Sequence, residues 1–176
     1  MFDKISAFFY NIFMRILGID PGYGIVGFGI IDTHRDNAVV DYGVIETPKN
    51  EPFAERLMHI EEALRVIFEA YKPDEVAIEE LFYFRNQTTV IPVAEARGVI
   101  VLTARKHCER IFEYTPMQIK QALTGNGRAE KKQMQFMVKS VLGLEKIPKP
   151  DDAADALAVA ICHSQINPNL NINQLF

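Results

Sequence analysis

The chain has 176 residues, 48% of them hydrophobic, and a formal net charge of -4. That length builds one domain with a proper core, and the apolar content excludes an intrinsically disordered protein. The acidity does not exclude a nucleic-acid partner, because from Arg97 to Lys139 nine Lys and Arg stand against three Glu, leaving +6 there and -10 elsewhere. A basic stripe on an otherwise acidic protein can guide a polyanion, although a solvated helix surface would look the same by charge alone.

Residues 1–13 hold an apolar stretch, Ile5 to Phe13, with Asp3, Lys4, Ser6 and Asn11 mixed in. It is too short for a membrane span and lacks the basic start and cleavage site of a signal peptide. It reads as an N-terminal extension or a small helix packed on the domain, with no assigned chemistry. Ile16 to Asp20, Ile25 to Ile31 and Val39 to Glu46 read as strands. Their short links, Pro21-Gly22-Tyr23 and His34 to Asn37, favour antiparallel hairpins. Phe53, Leu57, Ile60, Leu64, Ile67 and Tyr71 then recur at helical spacing. Pro73-Asp74 ends that helix, and Val76-Ala77-Ile78 starts a fourth strand, which a helical return normally lays parallel to an earlier one.

A long helix from about Thr88 to His107 tolerates Pro92 only in or near its first turn. Ile111 to Tyr114 is a fifth strand. Thr115-Pro116-Met117-Gln118 is a capping box with proline at the first helical position. The helix it opens ends at Gly125-Asn126-Gly127, another runs from about Ala129 to Leu142, and the last spans about Asp151 to His163. The segment 165–176, with four asparagines, is expected to be a flexible tail. Cys108 and Cys162, with no paired spacing, read as reduced thiols of a cytosolic protein. The order βββαβαβααα describes one α/β domain over residues 14–164. Its five-stranded mixed sheet has three antiparallel strands plus two parallel, with helices on both faces.

That order has a consequence for the acids. Asp20 ends the first strand and Glu79 ends the fourth, so parallel neighbours would set both at the same end of the sheet. Asp152 and Asp155, three residues apart on the last helix, lie one turn above another. Docking that helix over the first strand brings all four carboxylates into one pocket, with Leu157 and Ile161 in the core. Clustered acids repel, and some stay protonated unless cations compensate them. Two divalent ions roughly 4 Å apart would do so and would suit in-line attack of water on a phosphodiester. Oxygen-only ligands favour magnesium or manganese over zinc. Each acid alone has a duller explanation: Asp20 opens a turn, Glu79 is an exposed strand end, and acids suit a helix start.

With these residues in place, the chain resembles the RuvC-type Holliday junction resolvases, dimeric endonucleases of the ribonuclease H-like fold. The likeness rests on Ile16-Leu17-Gly18-Ile19-Asp20-Pro21-Gly22, on Ile78-Glu79-Glu80-Leu81-Phe82, on Gly98 and Gly125 to Lys131, and on Asp152-Ala153-Ala154-Asp155-Ala156-Leu157-Ala158. It runs from Met14 to about Ser164. The resemblance implies that Asp20, Glu79, Asp152 and Asp155 hold magnesium, two ions per site, with manganese able to substitute. It implies that Lys120 and Lys131 lie near the scissile phosphate, Lys131 with a catalytic role, and that Phe82 stacks on an unpaired base at the junction centre. Arg85, Asn86, Arg128 and Lys132 are further candidates for contacts with DNA.

The implied reaction is magnesium-dependent hydrolysis of two strands of a four-way DNA junction in recombination and repair, leaving 5′-phosphate and 3′-hydroxyl ends. The implied partners are a second copy of the chain, the junction, and a RuvA–RuvB branch-migration complex, in the cytoplasm and with no membrane. The helix from Thr88 to His107, with small residues Ala94, Ala96 and Gly98, is a candidate dimer face, although the same residues could equally pack against the sheet. Residues 1–13 fall outside the family pattern and are expected to be dispensable for cleavage. Actin-like ATPases and sugar kinases also open with an Ile-Asp-x-Gly turn but need a second lobe, for which the chain has no room. A junction-binding module without chemistry conflicts with the intact acid quartet. Small ribonuclease H-like nucleases acting on RNA are the more serious rival.

Overall fold

Alternation along the first strand sorts its side chains between two cores. In the computed structural model, which describes residues 14–33, 37–81, 90–166 and 173–175, β1 (Arg15–Asp20) sends Leu17 and Ile19 to one face and Ile16 to the other. β2 (Ile25–Asp32) and β3 (Ala38–Glu46) follow as antiparallel neighbours. α1 (Phe53–Tyr71) returns the chain to β4 (Glu75–Glu79), which lies parallel to β1. α2 (Val90–His107) makes the second return, to β5 (Ile111–Tyr114), parallel to β4. The sheet order is β3-β2-β1-β4-β5, the five-stranded mixed sheet expected from the sequence.

Helices cover both faces. Ile60 and Leu64 of α1, with Ala96 and Ile100 of α2, pack on Leu17, Ile19, Val76 and Ile78. The expected start of α2 at Thr88 lies outside the described residues; within them Pro92 sits in the first turn. On the other face stand α3 (Pro116–Thr124), α4 (Lys131–Val141) and α5 (Asp151–Ser164). Both cysteines are free and buried.

α5 lies directly on the strand backbones. Ala153, Ala154, Ala156, Ala158 and Ala160 are all buried, and the strands opposite present Gly18 and Gly27. A Cβ at Gly18 would collide with the Ala156 carbonyl and with Ala160, and one at Gly27 with the Asp152 carbonyl. These are backbone atoms, so nothing can swing aside. Gly18→Ala should lower stability by about 2–3 kcal/mol, the usual cost of overpacking. Urea unfolding of the two proteins measures it, and an unchanged midpoint would contradict so close a contact.

Two boundaries differ from the sequence reading. α4 begins at Lys131 rather than about Ala129, with Glu130 at its N-cap, where the Glu130 amide donates to Gln133 Oε1 at 3.0 Å. Within the segment expected to be a flexible tail, residues 173–175 lie on the sheet edge: Phe112 and Gln174 form an antiparallel bridge. The Glu113 amide donates to the Asn173 carbonyl at 2.9 Å, and the Leu175 amide to the Ile111 carbonyl at 2.8 Å.

Candidate active site

Register places the first two acids. Ile19 pairs with Ile78 in the parallel ladder, so Asp20 and Glu79 follow side by side at the strand ends. Alternation turns both to the α5 face, with Gly18 and Ala77 behind them. α5 crosses there and contributes Asp155, which joins Asp20 and Glu79 in lining a cavity of about 290 Å³. The turn after Asp20 is held by a residue the sequence reading missed. Arg56 of α1, buried, donates from Nη2 to the Tyr23 carbonyl at 3.1 Å and from Nε to Thr47 Oγ1 at 2.9 Å. Its signal was present: Arg56 is in helical phase with Ile60 and Leu64, where a charge needs a partner.

Lys120 and Lys131 complete the wall. Lys120 sits one turn into α3, whose start is fixed by the predicted capping box: the Gln118 amide donates to Thr115 Oγ1 at 3.2 Å. The link to α4 is tied by its own side chains. Thr124 Oγ1 donates to the Lys120 carbonyl at 2.7 Å, and the Gly127 amide to Gln121 Oε1 at 3.0 Å. Lys131 therefore opens α4, where the helix dipole disfavours a cation. What holds it there is the acids: Lys131 Nζ is 3.1 Å from Asp155 Oδ2 and 3.4 Å from Asp151 Oδ2. Asp151 itself is 2.6 Å from Lys149 Nζ, which with Lys131 keeps its carboxyl below the usual range.

The carboxylates are partly open to solvent through the cavity mouth yet surrounded by protein, and their titration follows the surroundings. Burial, then the charges of Glu79, Asp155 and Asp152, raise Asp20 well above the ordinary aspartate range. Burial and then Asp155 push Glu79 up to about 7, against the pull of Lys120 and Lys131. The charge of Glu79 beside it favours the protonated form of Asp20. Asp155 is raised by burial and restrained by Lys131. Burial disfavours the Lys131 charge, but Asp155 and Asp151 outweigh it and raise its pKa.

Not every expected residue converges. Asp152 does not line the cavity; it lies one turn nearer the start of α5, although its charge still reaches Asp20 and Asp155. Lys132 lines a separate groove with Asn126 and the exposed Phe136, and Arg128 is exposed in the link before α4. Phe82, Arg85 and Asn86 lie outside the described residues.

The chemistry of the donors fits a hard divalent cation: oxygen ligands only, with more negative charge than the burial tolerates and a lysine ammonium already drawn to one of them. Among the described residues no three His, Cys, Asp or Glu side chains are close enough to hold one ion as they stand.

Residues 16–163 match a family model described as crossover junction endodeoxyribonuclease RuvC. The RuvC of Petrotoga mobilis is 56% identical over 151 residues, 85% of this chain and 93% of its own length. That of Caldicellulosiruptor saccharolyticus is 55% identical over 152 residues, 85% of this chain and 92% of its own. The structure of T. thermophilus RuvC in complex with Holliday junction substrate matches with a TM-score of 0.85 at 32% identity, covering 92% of this chain and 99% of that one. The yeast mitochondrial Holliday junction resolvase Ydc2, at 16% identity and a TM-score of 0.61, is a likeness of fold alone. With its sheet, its acids and this agreement along almost its whole length, the chain belongs to the RuvC family of crossover junction endodeoxyribonucleases, proteins of the ribonuclease H-like fold.

Proposed function

We propose that this protein resolves four-way DNA junctions by hydrolysing one phosphodiester in each of two strands of like polarity. The single observation that carries the reading is the convergence of Asp20, Glu79 and Asp155 with Lys120 and Lys131 in one cavity. Asp20, Glu79 and Asp155 would hold magnesium, with Asp152 joining from the same helix. A pair of such ions, or manganese in their place, supplies an activated water and a charge partner for the leaving oxygen. Lys131 and Lys120 set positive charge beside the position of the scissile phosphate. Arg128 and Lys132, on the exposed side of α4 and its link, extend that charge along a DNA strand, Phe82 is assigned to the junction centre, and Arg85 and Asn86 are assigned to phosphates.

Two like cuts call for two sites, so the working form is a two-fold dimer. The outer face of α2 suits it: Ile91 and Leu102 are 67% and 58% exposed, with Ala94 and Gly98 exposed between them. Ala96, expected in that face, packs inward instead. No helix among the described residues is long and apolar enough to cross a membrane, and the reading assigns the protein to the cytoplasm with a RuvA–RuvB motor as partner. Residues 1–13 are assigned no part in cleavage, and residues 14–164 form the nuclease domain.

A cleavage panel in magnesium tests the proposal with a fixed four-way DNA junction, a flayed duplex and a structured RNA. Paired, symmetric nicks with 5′-phosphate ends should appear in the junction alone. Equal cutting of the RNA would transfer the site to the rival ribonuclease reading.

A further inference from the structure

At the opposite end of α5 lies a second group of charged side chains, inside the protein. Glu75, the first residue of β4, is 0% exposed, and His163 and Tyr114 are 3% and 1% exposed. His163 Nε2 lies 2.6 Å from Glu75 Oε2, and its Nδ1 lies 2.6 Å from the Tyr114 hydroxyl. One tautomer of a neutral imidazole satisfies both: Nε2–H donates to the carboxylate, and Nδ1 accepts from the Tyr114 O–H. Arg110 Nε approaches Glu75 Oε1 at 2.5 Å as an ion contact without an aligned hydrogen bond. The Phe112 ring packs on the imidazole, with centroids 4.4 Å apart. None of these residues touches the acid cavity.

The spacing ties this group to that cavity. Glu75 and Glu79 face the same side of β4, four residues or about 13 Å apart. His163 and Asp155 lie eight residues apart on α5, about 12 Å along its axis. Helix and strand are therefore bonded at one end, by His163 on Glu75, and face each other across the acid cavity at the other, with Asp155 and Glu79 both lining it. Between them Ala156 and Ala160 rest on Gly18. Such smooth surfaces permit close approach but resist sliding poorly, whereas short directional bonds between buried groups exist at one helix position only.

We infer that His163, Glu75 and Tyr114 are positioning residues for cleavage. They fix where α5 sits along and about its axis, and so limit how far Asp155 stands from Glu79 when a cation draws the carboxylates together. The inference rests on the reading of Asp155 as a metal-holding group. It is tested with His163→Leu, His163→Gln and Tyr114→Phe in the full chain, beside Asp155→Asn. Three quantities are measured: Mn²⁺ binding to the DNA-free protein by electron paramagnetic resonance, junction affinity without divalent metal, and the Mg²⁺ concentration for half-maximal single-turnover cleavage.

For His163→Leu, Mn²⁺ affinity should fall roughly 10-fold, the low end of the loss when a direct partner of a metal ligand is removed, because His163 acts on Asp155 through α5. The Mg²⁺ midpoint should rise in parallel and junction affinity should stay unchanged. His163→Gln, which keeps an N–H near the position of Nε2, should recover part of the loss. Tyr114→Phe should show a smaller loss in the same direction, and it carries the test if His163→Leu does not fold. Folded variants with the parental Mn²⁺ affinity and Mg²⁺ midpoint overturn the inference, provided Asp155→Asn loses Mn²⁺ in the same assay. If Asp155→Asn binds Mn²⁺ like the parent, the reading of the site itself fails.

Discussion

Asp20→Asn protein should bind a four-way junction as the parent does and cut it at least about a thousandfold more slowly in magnesium, beyond the loss from one well-placed electrostatic group elsewhere. The expectation follows from the state of Asp20. Burial and three neighbouring carboxylates favour its protonated form in the metal-free fold, and asparagine has the shape of that protonated acid. The substitution therefore leaves the packing alone and removes only the negative charge that a cation would recruit. Gel-shift affinity and single-turnover cleavage of the same preparation separate the two effects. Cutting within tenfold of the parental rate would remove Asp20 from the site, and lost binding would show that the change had disturbed the fold.

Raising the pH should destabilise the metal-free protein. Glu79 titrates near 7 in the fold against 4.5 as an isolated side chain. Between those values the folded protein keeps a proton that the unfolded chain has released, so stability falls as pH rises through that window. A displacement of that size corresponds to on the order of 3 kcal/mol. Magnesium, which replaces the proton as the compensating charge, should flatten the profile, and so should Glu79→Gln. Urea unfolding at pH 5 and pH 8, with and without the metal, measures both. A profile that is flat without metal, or unchanged by it, would mean that these carboxylates are not the strained group described.

The sheet was legible because its signals are local. Ile16, Leu17 and Ile19 alternate across two cores, turn residues separate the first three strands, and Thr115 to Gln118 announce α3 by their own hydrogen bonds. The pairing of Asp20 with Glu79 followed from strand order alone. What stayed hidden depends on docking. A spacing of three puts Asp152 and Asp155 on one helix face but does not say how far along the helix the cavity extends, and only Asp155 lines it. Lys131 was identified, but not the two-residue shift in helix start that places it against the dipole and makes Asp151 its second partner. The Glu75–His163 pair, 88 residues apart in the chain, has no local signature at all.

The short return of residues 173–175 onto β5 bears on how the molecule behaves in a crowded solution. A bare outermost strand offers unpaired amides and carbonyls to any passing extended segment, an invitation to fibre-like stacking. Here residues 173–175 take that seat. Displacing them trades a closed margin for a sticky one, at a rim adjoining the strand that carries Glu79.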